Sequence, residues 1–257
     1  MTIPRIYFPK ETEAGRREEL SGDDYRYLRN ILRLRKGETL ILFGLGTAEY
    51  EGVLKDYGPR SALVEIVRKK LIPEPDLRIT LVQALPKGEK MDLIVQKATE
   101  LGVARIVPVL TSRSIPRLTT EKAGRRVERW RKIALEASRQ CGRGDVPDIS
   151  EIESFTEAVA RPGRNALRLI LWEAESARGL KGVLRSGEYA GARDIVVAIG
   201  PEGGLSGEEV EEARGRGFIS AWLGRRVLKV ETAAIAVLAV IQYEYGILGT
   251  GTEKETE

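Results

Sequence analysis

The two prolines of Ile72-Pro-Glu-Pro-Asp76 divide this 257-residue sequence, because the hydrophobic pattern has a different period on either side of them. Prolines so closely spaced resist continuing a helix or a central strand, so a domain boundary is placed here. On the N-terminal side, Thr39–Phe43 and residues 61–67 are short, partly alternating apolar runs. Residues 50–54 can serve as a hairpin partner, and Gly44, Gly46 and Gly58-Pro59 supply turns, which together predict a small β-barrel. Residues 23–34 are predicted to form a short helix with Tyr27, Ile31 and Leu34 on its apolar side. Arg26, Arg29, Arg33, Arg35 and Lys36 lie on or near its other faces.

Beyond the prolines the pattern alternates between continuous apolar runs and helical spacing. Residues 78–85 (RITLVQAL) suit a strand buried on both faces. Residues 89–101 place Met91, Ile94, Ala98 and Leu101 at helical intervals and stop at Gly102. Arg105–Leu110 is the next strand. Thr120–Cys141 is a long helix with the apolar stripe Val127, Trp130, Ala134 and Ala137. Strands follow at residues 167–172, Asp194–Ile199 and residues 218–223. Alternation of this kind predicts an α/β domain with a mainly parallel sheet. The expected organisation is a β-barrel over residues 1–72, an α/β domain over residues 73–248 and a polar tail over residues 249–257.

Histidine is absent and Cys141 is the single cysteine. Catalytic triads, Cys–His pairs, His-ligated metals and internal disulfides are therefore excluded. The N-terminal stretch lacks the apolar core of a signal peptide, and the longest apolar run, residues 233–241, is too short to cross a bilayer. A cytoplasmic protein is expected. Cys141 ends an Arg-rich helix and is expected to be a buried structural residue.

Charge is unevenly placed. Residues 111–143 hold Arg113, Arg117, Lys122, Arg125, Arg126, Arg129, Arg131, Lys132, Arg139 and Arg143 against Glu121, Glu128 and Glu136. That stretch carries +7 in a chain whose net charge is +4. A field so concentrated points to a polyanion such as nucleic acid, with a solvated helix face as the alternative.

The chemistry is expected in two segments. In DIVVAIGPEGGLSGEEV a strand ends in Gly200-Pro-Glu-Gly-Gly204, and Ser206 with Glu209 forms a capping box for the next helix. Ligands of open α/β sheets bind beyond the carboxyl ends of strands, where glycines let backbone approach closely. The other reading is an ordinary turn whose glycines serve backbone geometry alone. In WLGRRVLKVETAAIAVLAVIQYEYG a second strand ends at Leu223-Gly224. A loop with Arg225, Arg226 and Lys229 follows, and then a helix with Glu231 in its first turn, apolar all round and so covered on several sides. The two loops would form opposite walls of one crevice. No Walker A or Rossmann glycine pattern follows any predicted strand, and Gly44-Leu-Gly46 reads as a hairpin turn.

These residues resemble the RsmE family of 16S ribosomal RNA uridine-N3 methyltransferases in the SPOUT superfamily. The likeness runs through Arg5-Ile-Tyr-Phe-Pro9, Leu28-Arg-Asn-Ile-Leu-Arg-Leu34, Lys87-Gly-Glu-Lys-Met91 and Gln96-Lys-Ala-Thr-Glu-Leu-Gly102. It continues through Ser112-Arg-Ser114, Arg139-Gln-Cys-Gly-Arg143, Ile199-Gly-Pro-Glu-Gly-Gly-Leu-Ser206, Leu223-Gly-Arg-Arg-Val-Leu228 and Glu231-Thr232. Tyr27 stands where relatives often carry histidine. The resemblance implies a PUA-like N-terminal domain, a trefoil-knotted methyltransferase domain, a homodimer and no metal. It implies S-adenosylmethionine held by Trp172, Ile199, Gly200, Pro201, Glu202, Gly203 and Gly204 on one side. On the other side it implies Leu223, Gly224, Val227, Leu228, Glu231, Thr232 and Ala233. The implied partner is 16S rRNA within an assembled small ribosomal subunit.

Uracil N3 carries an imide proton and becomes nucleophilic only when that proton leaves, so a base and a stabiliser of charge on O2 and O4 are needed. Glu202 is the first candidate for base or base-orienting group. Arg226, Arg113 and Arg139 are candidates for charge stabilisation and phosphate contact. RNA is expected to meet Arg113, Arg125, Arg126, Arg129, Arg139 and Arg143 together with Arg5, Arg29 and Arg33 of the N-terminal domain. The competing expectations are a SPOUT enzyme acting on another RNA position and a non-catalytic RNA-binding assembly protein.

Overall fold

The computed structural model describes residues 3–114, 119–161, 166–189, 191–246 and 248–249. Arg117 and the predicted tail from residue 250 onward lie outside them. The chain forms two compact units, Met1–Glu74 with Leu135–Val146, and Pro75–Ala134 with Pro147–Glu257.

The first unit contains β1 (Arg5–Tyr7), β2 (Arg17–Ser21), α1 (Gly22–Arg26), a π-helical turn (Tyr27–Ile31), β3 (Thr39–Phe43), β4 (Ala48–Tyr57) and β5 (Ser61–Leu71). Its sheet runs in the order β1-β3-β4-β5-β2, parallel only between β1 and β3. Alternation along β4 and β5 puts Tyr50, Leu54, Val64 and Ile66 into a core shared with Ile6, Leu40 and Leu42. The expected regular helix over residues 23–34 is corrected. Leu32 N–H donates to the carbonyl of Tyr27, five residues back, and the wider turn brings Leu28 rather than Ile31 to the core. Leu28 is fully buried, whereas Ile31 is 70% exposed. The later segment Leu135–Val146 joins this unit through the Gly144 carbonyl, which accepts from the amides of Gly44 (3.0 Å) and Gly46 (3.2 Å).

The second unit begins with β6 (Arg78–Ala84), α2 (Lys90–Glu100), β7 (Arg105–Leu110) and α3 (Thr120–Cys141), whose last residues belong to the first unit. It continues with β8 (Asp148–Ile149), β9 (Glu153–Ser154), α4 (Phe155–Ala160), β10 (Leu167–Leu171) and α5 (Leu180–Leu184). The remaining elements are β11 (Asp194–Ile199), α6 (Gly207–Gly215), β12 (Ile219–Ala221) and α7 (Val230–Tyr245). The sheet order is β12-β10-β11-β6-β7-β8, with β9 also on β7, and the pairings are parallel. Continuous apolar runs suit this position, since a parallel sheet is covered on both faces. Ser206 and Glu209 form the expected capping box, and Ser154 with Glu157 forms another at α4.

On α7, Val230, Ala234, Val237, Leu238 and Ile241 are buried. Val240 and Tyr243 remain exposed at 39% and 64%, so one apolar face of this helix is open. Among the described residues no helix is long and apolar enough to cross a membrane.

Candidate functional site

Because β12, β10 and β11 are adjacent and parallel, their carboxyl ends open on the same edge of the sheet. The residues that follow them line a cleft of about 630 Å³, within the usual range for a small-molecule site. From β10 come Trp172 and Glu173, from β11 the Gly200–Gly204 turn, and from β12 the loop through Leu223, Gly224, Arg225, Arg226, Val227 and Leu228. Lys90 and Ala233 complete part of the wall. Of the residues implied as cofactor ligands, Gly203, Glu231 and Thr232 stand outside this lining. Arg226 faces the cleft from its exposed rim, and Val227 beside it is 88% exposed.

Gly204 adopts φ +69°, and a Cβ there would overlap the Glu173 carboxylate. The turn therefore needs glycine twice, for its backbone and for the side chain packed on it. Gly224 has φ +144° and nothing within 4 Å of the place a Cβ would occupy. Its backbone is thus open to a ligand. Arg113, on the loop after β7, donates to the carbonyl of Gly203 (2.8 Å) and more weakly to that of Leu205 (3.4 Å). It clasps the turn.

One ammonium links a carboxylate from each of the two glycine-bearing segments. Lys90 Nζ lies 2.7 Å from Glu202 Oε1 and 3.7 Å from Glu231 Oε2. The Lys87 amide lies 3.1 Å from each Glu202 oxygen. Burial pushes the Glu202 carboxyl up, but the Lys90 hydrogen bond, the backbone amides and the ammonium charge together hold it below its ordinary value. The hydrogen bond to Glu202 raises Lys90, against an opposing effect of desolvation. Glu202 is thus an ionised anchor joining the β11 turn to the start of α2.

The turn after β10 is fixed by Glu175. Its Oε1 accepts from the amides of Ala177 (2.9 Å) and Arg178 (3.3 Å), and its Oε2 accepts from Ser220 Oγ and Arg214 Nη2 (3.0 Å). The Ser220 hydrogen bond leads, and with the amides and Arg214 it outweighs burial and takes the Glu175 carboxyl down to about 2. The Arg214 guanidinium also sits 5.5 Å from the Trp172 ring centre. Glu173, two residues before Glu175, is exposed and has no hydrogen bond or ion pair among the described residues. Sequence reasoning missed Lys90 and Glu173 as cleft residues. Spacing gives no sign of either role, which depends on sheet order.

The basic residues divide into two groups. Arg125 pairs with Glu121 at 2.5 Å, Arg129 pairs with Asp92, and Arg126 has no partner among the described residues. These three remain on the surface of α3, wholly or in part. In the first unit Arg33 is exposed, and Arg29 is exposed over the rings of Tyr25 and Tyr57. Arg5, Arg139 and Arg143 are more enclosed, with side chains only 13–14% exposed. Arg5 pairs with Glu49 and donates to the Arg143 carbonyl, while Arg143 pairs with Asp145. Arg139 pairs with Glu136 and Asp24 and lies 4.9 Å from the Tyr27 ring centre. Carboxylates of the same unit have claimed these cations. Cys141 is corrected from buried to exposed: four residues beyond Ala137 it keeps the spacing of the apolar stripe, but it is the last residue of α3.

A family model described as an RNA methyltransferase domain matches residues 73–242, and one described as an RNA methyltransferase PUA domain matches residues 20–67. Ribosomal RNA small subunit methyltransferase E of Bacillus subtilis is 28% identical over 89% of this chain and 91% of its own length. The protein of that name from Synechocystis is 31% identical over 84% of this chain and 69% of its own length. The crystal structure of Ribosomal RNA small subunit methyltransferase E from Neisseria gonorrhoeae bound to S-adenosyl methionine is similar with a TM-score of 0.85. It is 32% identical, and the match covers 95% of this chain and 98% of that one.

Proposed function

This chain belongs to the ribosomal RNA small subunit methyltransferase E family, and from that premise we propose that it methylates N3 of one uridine in 16S ribosomal RNA with S-adenosylmethionine. The observation that carries the reading is the cleft at three adjacent strand ends. Its backbone is laid open at Gly224 and its apolar residues include Leu171, Ile199, Leu223 and Val230. These features fit a nucleoside-bearing cofactor: apolar side chains for adenine, backbone groups for its edge and the ribose, and a volume of about 630 Å³.

When bound, S-adenosylmethionine supplies an electrophilic methyl group on a positively charged sulfur. The protein's part is positioning and electrostatics. Lys90 holds the Glu202 turn against the start of the α7 helix, so the two loops keep their separation. Of the two roles open to Glu202, the ion pair favours the orienting one. Arg226, on the cleft rim, is proposed to stabilise negative charge on O2 or O4 of the base. Arg113 is proposed to act through the Gly203 carbonyl that it already holds.

RNA would be gripped by Arg125, Arg126 and Arg129, with Arg29 and Arg33 of the PUA-like unit adding further contacts. The open apolar face of α7, with Val240 and Tyr243, supports a homodimer. Knotted threading of the last strands and α7, cytoplasmic action and a substrate inside the assembled small subunit belong to the same proposal.

Calorimetry with S-adenosylmethionine and a nucleoside profile of 16S rRNA from a deletion strain test it. Saturable heat and the specific loss of N3-methyluridine are expected. Loss of a different methylated nucleoside would move the enzyme to another position, and absence of heat would reduce it to an RNA-binding protein. Light scattering that gives a monomer at micromolar concentration would remove the homodimer.

A further inference from the structure

We propose that Glu173, rather than Glu202, accepts the N3 proton of the target uridine. The inference rests on the reading above, in which the methylated atom is a uracil imide nitrogen. Such a nitrogen must lose its proton as it attacks, and the group that receives it must face the reacting base. The ionisable side chains that line the cleft are Lys90, Glu173, Glu202, Arg225, Arg226 and Lys229. Lysine and arginine already carry their protons at neutral pH. Only the two carboxylates remain.

Their surroundings separate them. Glu202 is held by the Lys90 ammonium at 2.7 Å and by the Lys87 amide at 3.1 Å from both of its oxygens. Adding a proton would break that ion pair and loosen the turn that shapes the cleft. Glu173 has no partner among the described residues, so its oxygens are available. It is nevertheless not adrift. Its carboxylate packs over Gly204, and its turn is tied by the Glu175 amide donating to the Trp172 carbonyl at 3.2 Å and by the Glu175 carboxylate network. A free carboxylate on a pinned turn is what a general base requires: a vacant acceptor held in place.

The step balances without any further reactant. The N3 proton passes to a Glu173 oxygen, and the electron pair it leaves forms the nitrogen–methyl bond. The methyl–sulfur bond breaks with its pair retained on sulfur, which becomes neutral. Glu173 is exposed, so the proton then leaves for bulk water.

The test compares Glu173→Gln with Glu202→Gln on small ribosomal subunits that lack the modification. For Glu173→Gln the turnover should fall by roughly 10²–10⁴-fold, while the calorimetric affinity for S-adenosylmethionine stays at the wild-type value. Replacing the target uridine by 5-fluorouridine, whose imide is more acidic, should restore much of that loss, and so should raising the pH toward the ionisation of uracil itself. Glu202→Gln should gain nothing from 5-fluorouridine. Glu173→Asp, which keeps a carboxylate one methylene short, should retain part of the rate. Wild-type turnover in Glu173→Gln, a loss that the acidic substrate leaves untouched, or a collapse of cofactor affinity would each overturn the proposal. If the wild-type enzyme yields no N3-methyluridine at all, the underlying reading fails instead, and this step fails with it.

Discussion

Replacing Glu175 by glutamine tests whether the turn that carries Trp172 and Glu173 is held electrostatically. The carboxylate is 8% exposed and receives four donors, the amides of Ala177 and Arg178, Ser220 Oγ and Arg214 Nη2. Glutamine fits the same space, and its carbonyl oxygen can keep the two amides. Its NH₂ then faces Arg214, donor against donor, and Ser220 must reverse its own hydrogen bond. The loss of one charge-assisted hydrogen bond costs about 1.5–3 kcal/mol. At roughly 2–4 °C per kcal/mol for a chain near this size, the Tm falls by roughly 3–12 °C.

The effect also has a pH signature. The folded carboxyl sits at about 2 against an ordinary 4.5. Its contribution is therefore fully present above about 4.5 and is lost progressively as the pH falls from there through about 2, below which both states are protonated. Scanning calorimetry of the two proteins between pH 7 and pH 3 should show a constant gap at the upper end that narrows below about pH 4.5. A gap under about 1 °C at pH 7, or one of unchanged size down to pH 3, would refute the assignment.

Lys90→Met leaves Glu202 and Glu231 without their shared cation. Calorimetry should record cofactor affinity lower by about tenfold, with Lys90→Arg closer to wild type. Gly224→Ala forces a side chain into φ +144° but meets no protein atom within 4 Å. The backbone strain is about 1–3 kcal/mol, so a Tm loss of several degrees should accompany weaker cofactor binding. An unchanged Tm would show that the loop relaxes. Replacing Arg125, Arg126 and Arg129 together should flatten the dependence of log K on log salt for RNA by roughly 0.7–0.9 for every phosphate that is no longer neutralised. An unaltered slope would mark that face as merely solvated.

The second unit was the more legible in sequence, because its strands are long apolar runs and its α3 helix repeats Val127, Trp130 and Ala134 at regular intervals. In the first unit β1 and β2 escaped notice. Arg5–Tyr7 is three residues long, and Arg17–Ser21 is mostly charged because it lies at an edge. The π-helical turn was hidden for another reason, since Tyr27, Ile31 and Leu34 satisfy ordinary helical spacing equally well. Motif reading located the glycine turns of the cleft, whose geometry is local. It did not find the Lys90 bridge or the free carboxylate of Glu173, which arise from elements far apart in the chain. The ion pairs of Arg5, Arg139 and Arg143 were not legible either, because a charge pattern does not show which carboxylates the fold sets beside each arginine.

The order of the second sheet also sets how this protein comes into being. Strand β6 pairs with β7 soon after both are made, but its other edge must wait for β11, with Arg78 opposite Asp194. During synthesis an apolar strand destined for the middle of a sheet is left with bare amides and carbonyls while most of the remaining chain emerges. Such late, long-range pairing is slow and vulnerable to association with other nascent chains. The same delay means that the cleft, built from the ends of β10, β11 and β12, is among the last parts to form. The chain must be made at least through the loop after β12 before the cleft can bind a methyl donor.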